Sequence, residues 1–171
     1  MKKLFIYLMP LLIGVGFMSC DNTNDELVEE YNQLLTQEDS LETNSLELLA
    51  MHEQIVENHN NLMTQIATME DVDTALLARM RAHEVILSRH EAIFEAHEEM
   101  RVAHENLVDD QIIDNLADES IQAQLEQMQE DHEQMMEDHE NMEQAYIKIK
   151  RDHEEVREML EERLAKEVST S

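Results

Sequence analysis

From Glu26 onward the chain places apolar side chains at a seven-residue period. Leu27, Leu34, Leu41, Leu48, Ile55, Leu62 and Met69 carry the beat, and Val28, Leu35, Leu49, Val56 and Met63 stand one place after it. Seven residues is two helical turns, so the pattern draws a stripe along one side of a helix. In heptad notation the stripe is d and e, and position a holds Tyr31, Glu38, Ser45, His52, His59 and Ile66. These positions predict a first helix over about 26–70. Asp71-Val72-Asp73-Thr74 then supplies N-cap residues, and the phase slips, since His59 and His83 are twenty-four residues apart. Caps plus a slip predict a turn between antiparallel helices. Folding the chain back near Asp71 sets His59 level with His83, and His52 level with His90.

A second helix is expected over 74–108. Between Asp109 and Asp118 the pattern fails: Asp114 falls at d, while Ile112 and Ile113 lie on the outer face. A second turn fits better than one continuous rod from Thr74, which would leave Ile112, Ile113 and Leu116 exposed. The third helix, over about 120–167, carries Ile121, Met128, Met135, Met142, Ile149 and Val156 at d, with Leu125, His132, His139, Tyr146, His153 and Leu160 at a. Residues 168–171 read as a frayed tail. The fold class expected is all-α, an antiparallel three-helix bundle or coiled coil on the order of 60 Å long.

The histidines share the phase of this stripe. His83, His90, His97 and His104 recur every seven residues, followed three places on by Ile86, Ile93, Met100 and Leu107. Each imidazole therefore lies within the apolar arc and points inward. A histidine seam inside the bundle follows from the spacing.

Composition narrows the class further. Both glycines and the one proline lie in the first twenty residues, so the body has almost no means of making tight turns or hairpins. Forty acidic residues against twelve basic ones give a formal net charge of −28. Such a surface repels nucleic acid and suits solubility, cations or basic partners.

Lys2 and Lys3 precede an apolar run from Leu4 to Met18 that ends at Ser19-Cys20. The run is too short to span a membrane comfortably and has the layout of an export signal. The segment Phe17-Met18-Ser19-Cys20 resembles a bacterial lipoprotein signal; Ser19 and Cys20 match, and Phe17 and Met18 depart from its usual residues. The resemblance implies a signal peptide over 1–19, lipid on Cys20, a tether over 20–25 and a cell-envelope location outside the cytoplasmic membrane. With Cys20 alone, no intramolecular disulfide can form. In heptads and composition, rather than by any specific motif, the chain also resembles small exported coiled-coil lipoproteins named after viral A-type inclusion proteins, which implies no activity.

The familiar helical metal motifs are missing. No histidine has another at i+4, as a zinc-protease helix needs, and none has Glu three places before it, as a di-iron bundle needs. Histidines seven apart on one helix are about 10 Å from one another, so any ion must be held between helices. The candidate ligands are His52, His59, His83, His90, His97, His104, His132, His139 and His153, with Met100, Met135 and Met142 as soft helpers for copper; zinc is the other candidate. Eight of the nine histidines precede Glu, yet adjacent residues differ by ~100° around a helix, so those carboxylates lie at the rim. No phosphate loop or cysteine nucleophile appears, and no serine stands three or four residues from a histidine, so an enzyme is not expected. The first reading is a lipid-anchored bundle with a structural or protein-interaction role, through protein partners or self-association. The second is an envelope metal-binding protein using an interhelical His/Met seam. The third is a periplasmic chaperone-like or pH-responsive adaptor.

Overall fold

A computed structural model describes residues 23–69, 72–107 and 119–170. Among the described residues, all but Thr68, Met69, Val72 and Asp73 are α-helical. Helix α1 spans Thr23–Ala67, α2 spans Thr74–Leu107 and α3 spans Glu119–Thr170. The expected all-α three-helix bundle is what forms. The signal region, Cys20 and the stretch holding Asp109–Asp118 lie outside the described residues.

The first turn is built as the caps predict. The Asp73 carboxylate accepts the backbone N–H of Ala75 at 2.9 Å, and its carbonyl accepts that of Leu77 at 3.1 Å, so Asp73 starts α2. At the end of α1, Thr68 and Met69 donate to Gln65 and Ile66 at 3.1 Å each, a tightened last turn that closes the helix three residues earlier than expected.

Two boundaries differ from expectation. Thr23–Asp25 belongs to α1 rather than to a tether, because no glycine or proline there interrupts helical hydrogen bonding. Residues 168–170 continue α3 instead of fraying, and the Ser169 hydroxyl donates to the carbonyl of Lys166 at 2.8 Å, satisfying a last-turn acceptor.

Helices α1 and α3 run parallel at a constant offset. Glu38 meets His132, Ser45 meets His139, His52 meets Tyr146 and His59 meets His153, each pair 94 residues apart. Helix α2 runs against both, so His83 lies beside His59 while His104 lies beside Glu38. The contact between His104 and His132 shows that the chain doubles back between α2 and α3.

Most a and d positions of α1 and α3 are buried, Leu34, Leu41, Leu48, Ile55 and Leu62 facing Met128, Met135, Met142, Ile149 and Val156, while Glu38 and Ser45 at a are half-buried. Helix α2, approaching antiparallel, buries its a positions and, at the end near the first turn, Met80 and Leu87 at e, whereas Ile86, Ile93, Phe94 and Met100 are only half-buried. Three apolar clusters result. One sits at the turn end around Leu62, Ile66, Met80 and Val156, one in the middle around Ile55, Leu87 and Met142, and one at the far end around Tyr31, Leu34 and Met128. Fully burying such a side chain is worth about 1.5–3 kcal/mol. Between Leu87 and Glu105, the residues of α2 that are fully buried are His90, His97 and His104. That half of α2 is attached through these histidines and through half-buried Ile93 and Phe94, which pack against the middle cluster.

Candidate metal centre

All nine histidines are buried, the most exposed, His52, at 8 %. They fall into four layers stacked along the axis, each combining one a residue from every helix.

The layer nearest the first turn joins His59, His83 and His153. Their ring centroids are 5.3, 5.4 and 6.1 Å apart, and one ligand nitrogen from each lies within 4.8 Å of the others. His59 Nδ1 and His153 Nε2 are 3.3 Å apart. His83 Nε2 donates to Asp152 at 3.2 Å, leaving Nδ1 buried without a hydrogen-bond partner. His59 Nε2 is unpartnered as well, and the Glu84 carboxylate stands 3.7 Å away. Burial lowers the pKa of all three rings, and for His153 the neighbouring His83 and His59 add to it, bringing it to about 4. Burial thus favours the uncharged form in all three rings; one proton is shared between His59 Nδ1 and His153 Nε2, and an ion bound there takes its place, the proton leaving to water.

One heptad along, His52 Nδ1 and the Tyr146 hydroxyl are 3.0 Å apart, and His90 packs edge-on against the same phenol at 5.0 Å. His90 Nδ1 has no partner; burial, then the nearby His52 and Arg89, push its pKa to about 4. The next layer joins His97 and His139, centroids 5.2 Å apart, with Ser45 Oγ at 3.0 Å from His139 Nε2 and Asp138 at 3.2 Å from His97 Nε2. Ser45 and His139 form a hydroxyl–imidazole pair the linear spacing did not reveal. His139 Nδ1 has no hydrogen-bond partner, so the orienting carboxylate of a catalytic triad is missing.

The fourth layer joins Glu38, His104 and His132. Glu38 Oε2 accepts from His104 Nδ1 at 2.9 Å and from His132 Nε2 at 2.6 Å, while Asp131 accepts from His104 Nε2 at 3.0 Å. Burial by itself would raise the Glu38 carboxyl, but hydrogen bonds from His104 and His132 and their charges hold it at about 2. Burial likewise acts to lower His104, and the hydrogen bonds to Glu38 and Asp131 override it, so its pKa is raised. This layer is an ion-paired cluster.

The carboxylates that reach histidines stand elsewhere than directly after them. The Glu after each histidine stays at the rim, Glu84 coming closest at 3.7 Å. Besides Glu38, the partners are Asp131, Asp138 and Asp152, each one place before a histidine of α3 and each hydrogen-bonded to a histidine of α2. Their signal is the triplet Asp-His-Glu, which occurs at 131–133, 138–140 and 152–154 and nowhere else in the chain.

The three methionines named as copper helpers differ in their surroundings, and Met135 lines one hollow together with His97. Met142 is buried among Leu48, Ile55 and Leu87, Met135 is buried one turn from the histidine layers, and Met100 is half-buried outside the three apolar clusters. Among the described residues no helix is long and apolar enough to cross a membrane. Family models, curated proteins and solved structures give no match to this chain, so function has to be read from the site itself.

Proposed function

We propose that the protein is an exported, lipid-anchored helical bundle that binds a divalent transition-metal ion, Zn(II) in the first instance, between His59, His83 and His153. The carrying observation is the convergence of three neutral imidazoles from three helices with donor nitrogens within 4.8 Å. Tetrahedral Zn–N bonds of ~2.0 Å set neighbouring ligand nitrogens about 3.3 Å apart, the spacing already present between His59 and His153. Asp152 on the outer nitrogen of His83 fixes the tautomer and leaves the other nitrogen for the ion, as carboxylate partners of metal-bound histidines do. Three imidazoles are a donor set that Zn(II) accepts readily, whereas Cu(I) favours sites that also bring in thioether, the alternative His/Met copper seam. The Ser19-Cys20 ending supports export and lipidation, and a bundle held at a membrane surface would keep the ion in the envelope.

Binding an ion between helices ties the native state together. Zinc at a hundred times its Kd stabilises by about 2.7 kcal/mol, a rise in Tm of roughly 5–10 °C for a chain of this size. The test is thermal melting at pH 7.5 with and without zinc, for wild type and for His83→Ala. A rise in wild type that His83→Ala abolishes supports the reading; no rise at saturating zinc leaves a purely structural or protein-interaction role.

A further inference from the structure

We propose that Glu38, His104 and His132 form a second, chemically different binding site, for a divalent first-row ion that accepts mixed carboxylate and imidazole ligands: Fe(II), Co(II) or Zn(II). The three donors come from three helices, and their ligand atoms lie within 4.8 Å of one another. This stands independently of the three-imidazole layer, which is three heptads away on the same helices.

Three observations carry it. First, each imidazole already has an acceptor on its far nitrogen. Asp131 takes the Nε2–H of His104 at 3.0 Å, and the Gln37 amide oxygen takes the Nδ1–H of His132 at 3.3 Å. Both rings are thereby oriented with the opposite nitrogen toward Glu38, the arrangement that second partners impose on metal-bound histidines. Second, two imidazoles and one carboxylate make a donor set that divalent iron, cobalt and zinc accept with coordination positions left open. Copper(I), which favours thioether and thiolate, is disfavoured there.

Third, the site has a way in. A hollow of about 290 Å³ opens between α1 and α2, and Glu38 lines it together with Glu42, Ser45, His97 and Glu98. Arg101 on the same wall is engaged by Glu98 and Glu105, so the lip remains acidic and draws cations. The Glu38 side chain is 14 % exposed, against 2 % for His59. An ion with bonds of ~2.0 Å needs ligand spacings of about 3.3 Å, so the carboxylate must withdraw by roughly half an ångström from its present 2.6 and 2.9 Å contacts. The hollow beside it gives room. Glu38 accepts a hydrogen bond from both rings, so the ion takes the place of the two facing protons, which leave to water, while each ring keeps the hydrogen bond on its far side.

The experiment is a cobalt(II) titration of the full chain, read by visible absorption, with helicity checked for each variant. Wild type is expected to take two equivalents, His153→Ala one and Glu38→Gln one, the double variant none. Should Glu38→Gln lose helicity, Asp131→Asn serves instead: it leaves all three ligands in place and should weaken one equivalent about tenfold. A count that Glu38→Gln leaves unchanged, or an Asp131→Asn chain with wild-type affinity for both equivalents, overturns the second site. A wild-type chain that takes one equivalent, lost in Glu38→Gln and kept in His153→Ala, overturns the three-imidazole reading alone.

Discussion

At the level of His59 three rings of lowered pKa face one another, two of them with an unpartnered nitrogen, whereas about 30 Å along the same helices, at the level of Glu38, two rings are locked onto a half-buried carboxylate. Both layers occupy heptad position a, and both have an aspartate of α3 on the α2 histidine. What differs is one residue of α1, histidine in the first layer and glutamate in the second. With His59 the layer has no internal anion, so burial governs and keeps protons off. With Glu38 and Asp131 the anions outweigh burial at His104 and favour its protonated form. Proton occupancy, and with it readiness for a metal, is decided by a single side chain in an otherwise repeated frame.

The contrast gives the bundle two pH limbs of opposite sign. Rings whose pKa is lowered on folding, His52, His59, His83, His90, His139 and His153, contribute stability that is complete above about 6.5 and is lost as pH falls through their folded values, about 4 for His90, His139 and His153. His104, whose pKa is raised, contributes stability that is complete below about 6.5 and is lost as pH rises through its folded value. Stability should peak near pH 6.5.

The acid limb is the largest effect. A shift from 6.5 to about 4 corresponds to roughly 3 kcal/mol for each of His90, His139 and His153. Even a third of that sum lowers Tm by on the order of 10 °C between pH 6.5 and pH 4.5, measurable by circular dichroism without metal. A flat Tm over that range would mean that the rings are not held neutral. Glu38→Gln comes next and acts on the other layer alone. It strands two rings built around a carboxylate, costing about 2–4 kcal/mol at pH 6.5, and removes the decline above that pH. An alkaline decline that persists in melts of Glu38→Gln would place its source elsewhere. The smallest effect belongs to His90, which faces Tyr146 instead of a histidine and has no carboxylate partner. His90→Leu removes a buried unpartnered nitrogen, so Tm should change by no more than the equivalent of about 1 kcal/mol while the acid limb becomes shallower. A loss above 3 kcal/mol would show that His90 has a hydrogen bond that the structure lacks.

Helix number, direction and the inward aim of the histidines were legible in the sequence, because a seven-residue period admits one stripe per helix and the phase slip at Asp71 admits one fold-back. Even the pairings of His59 with His83 and of His52 with His90 followed from counting back from the turn. The second turn was legible only as a loss of pattern. Site chemistry was less so. Glu38 and Ser45 stood at position a, yet nothing local said which histidines they would meet.

By itself, then, the sequence determined where each imidazole lies around its own helix, since that depends on 3.6 residues per turn and on nothing distant. Only the tertiary structure decided which three side chains share a layer. The parallel offset of 94 residues between α1 and α3 sets His153 beside His59 and His132 beside Glu38. Whether a ring is neutral or charged depends on the charges and burial around it within a few ångströms, and those are supplied by the other two helices.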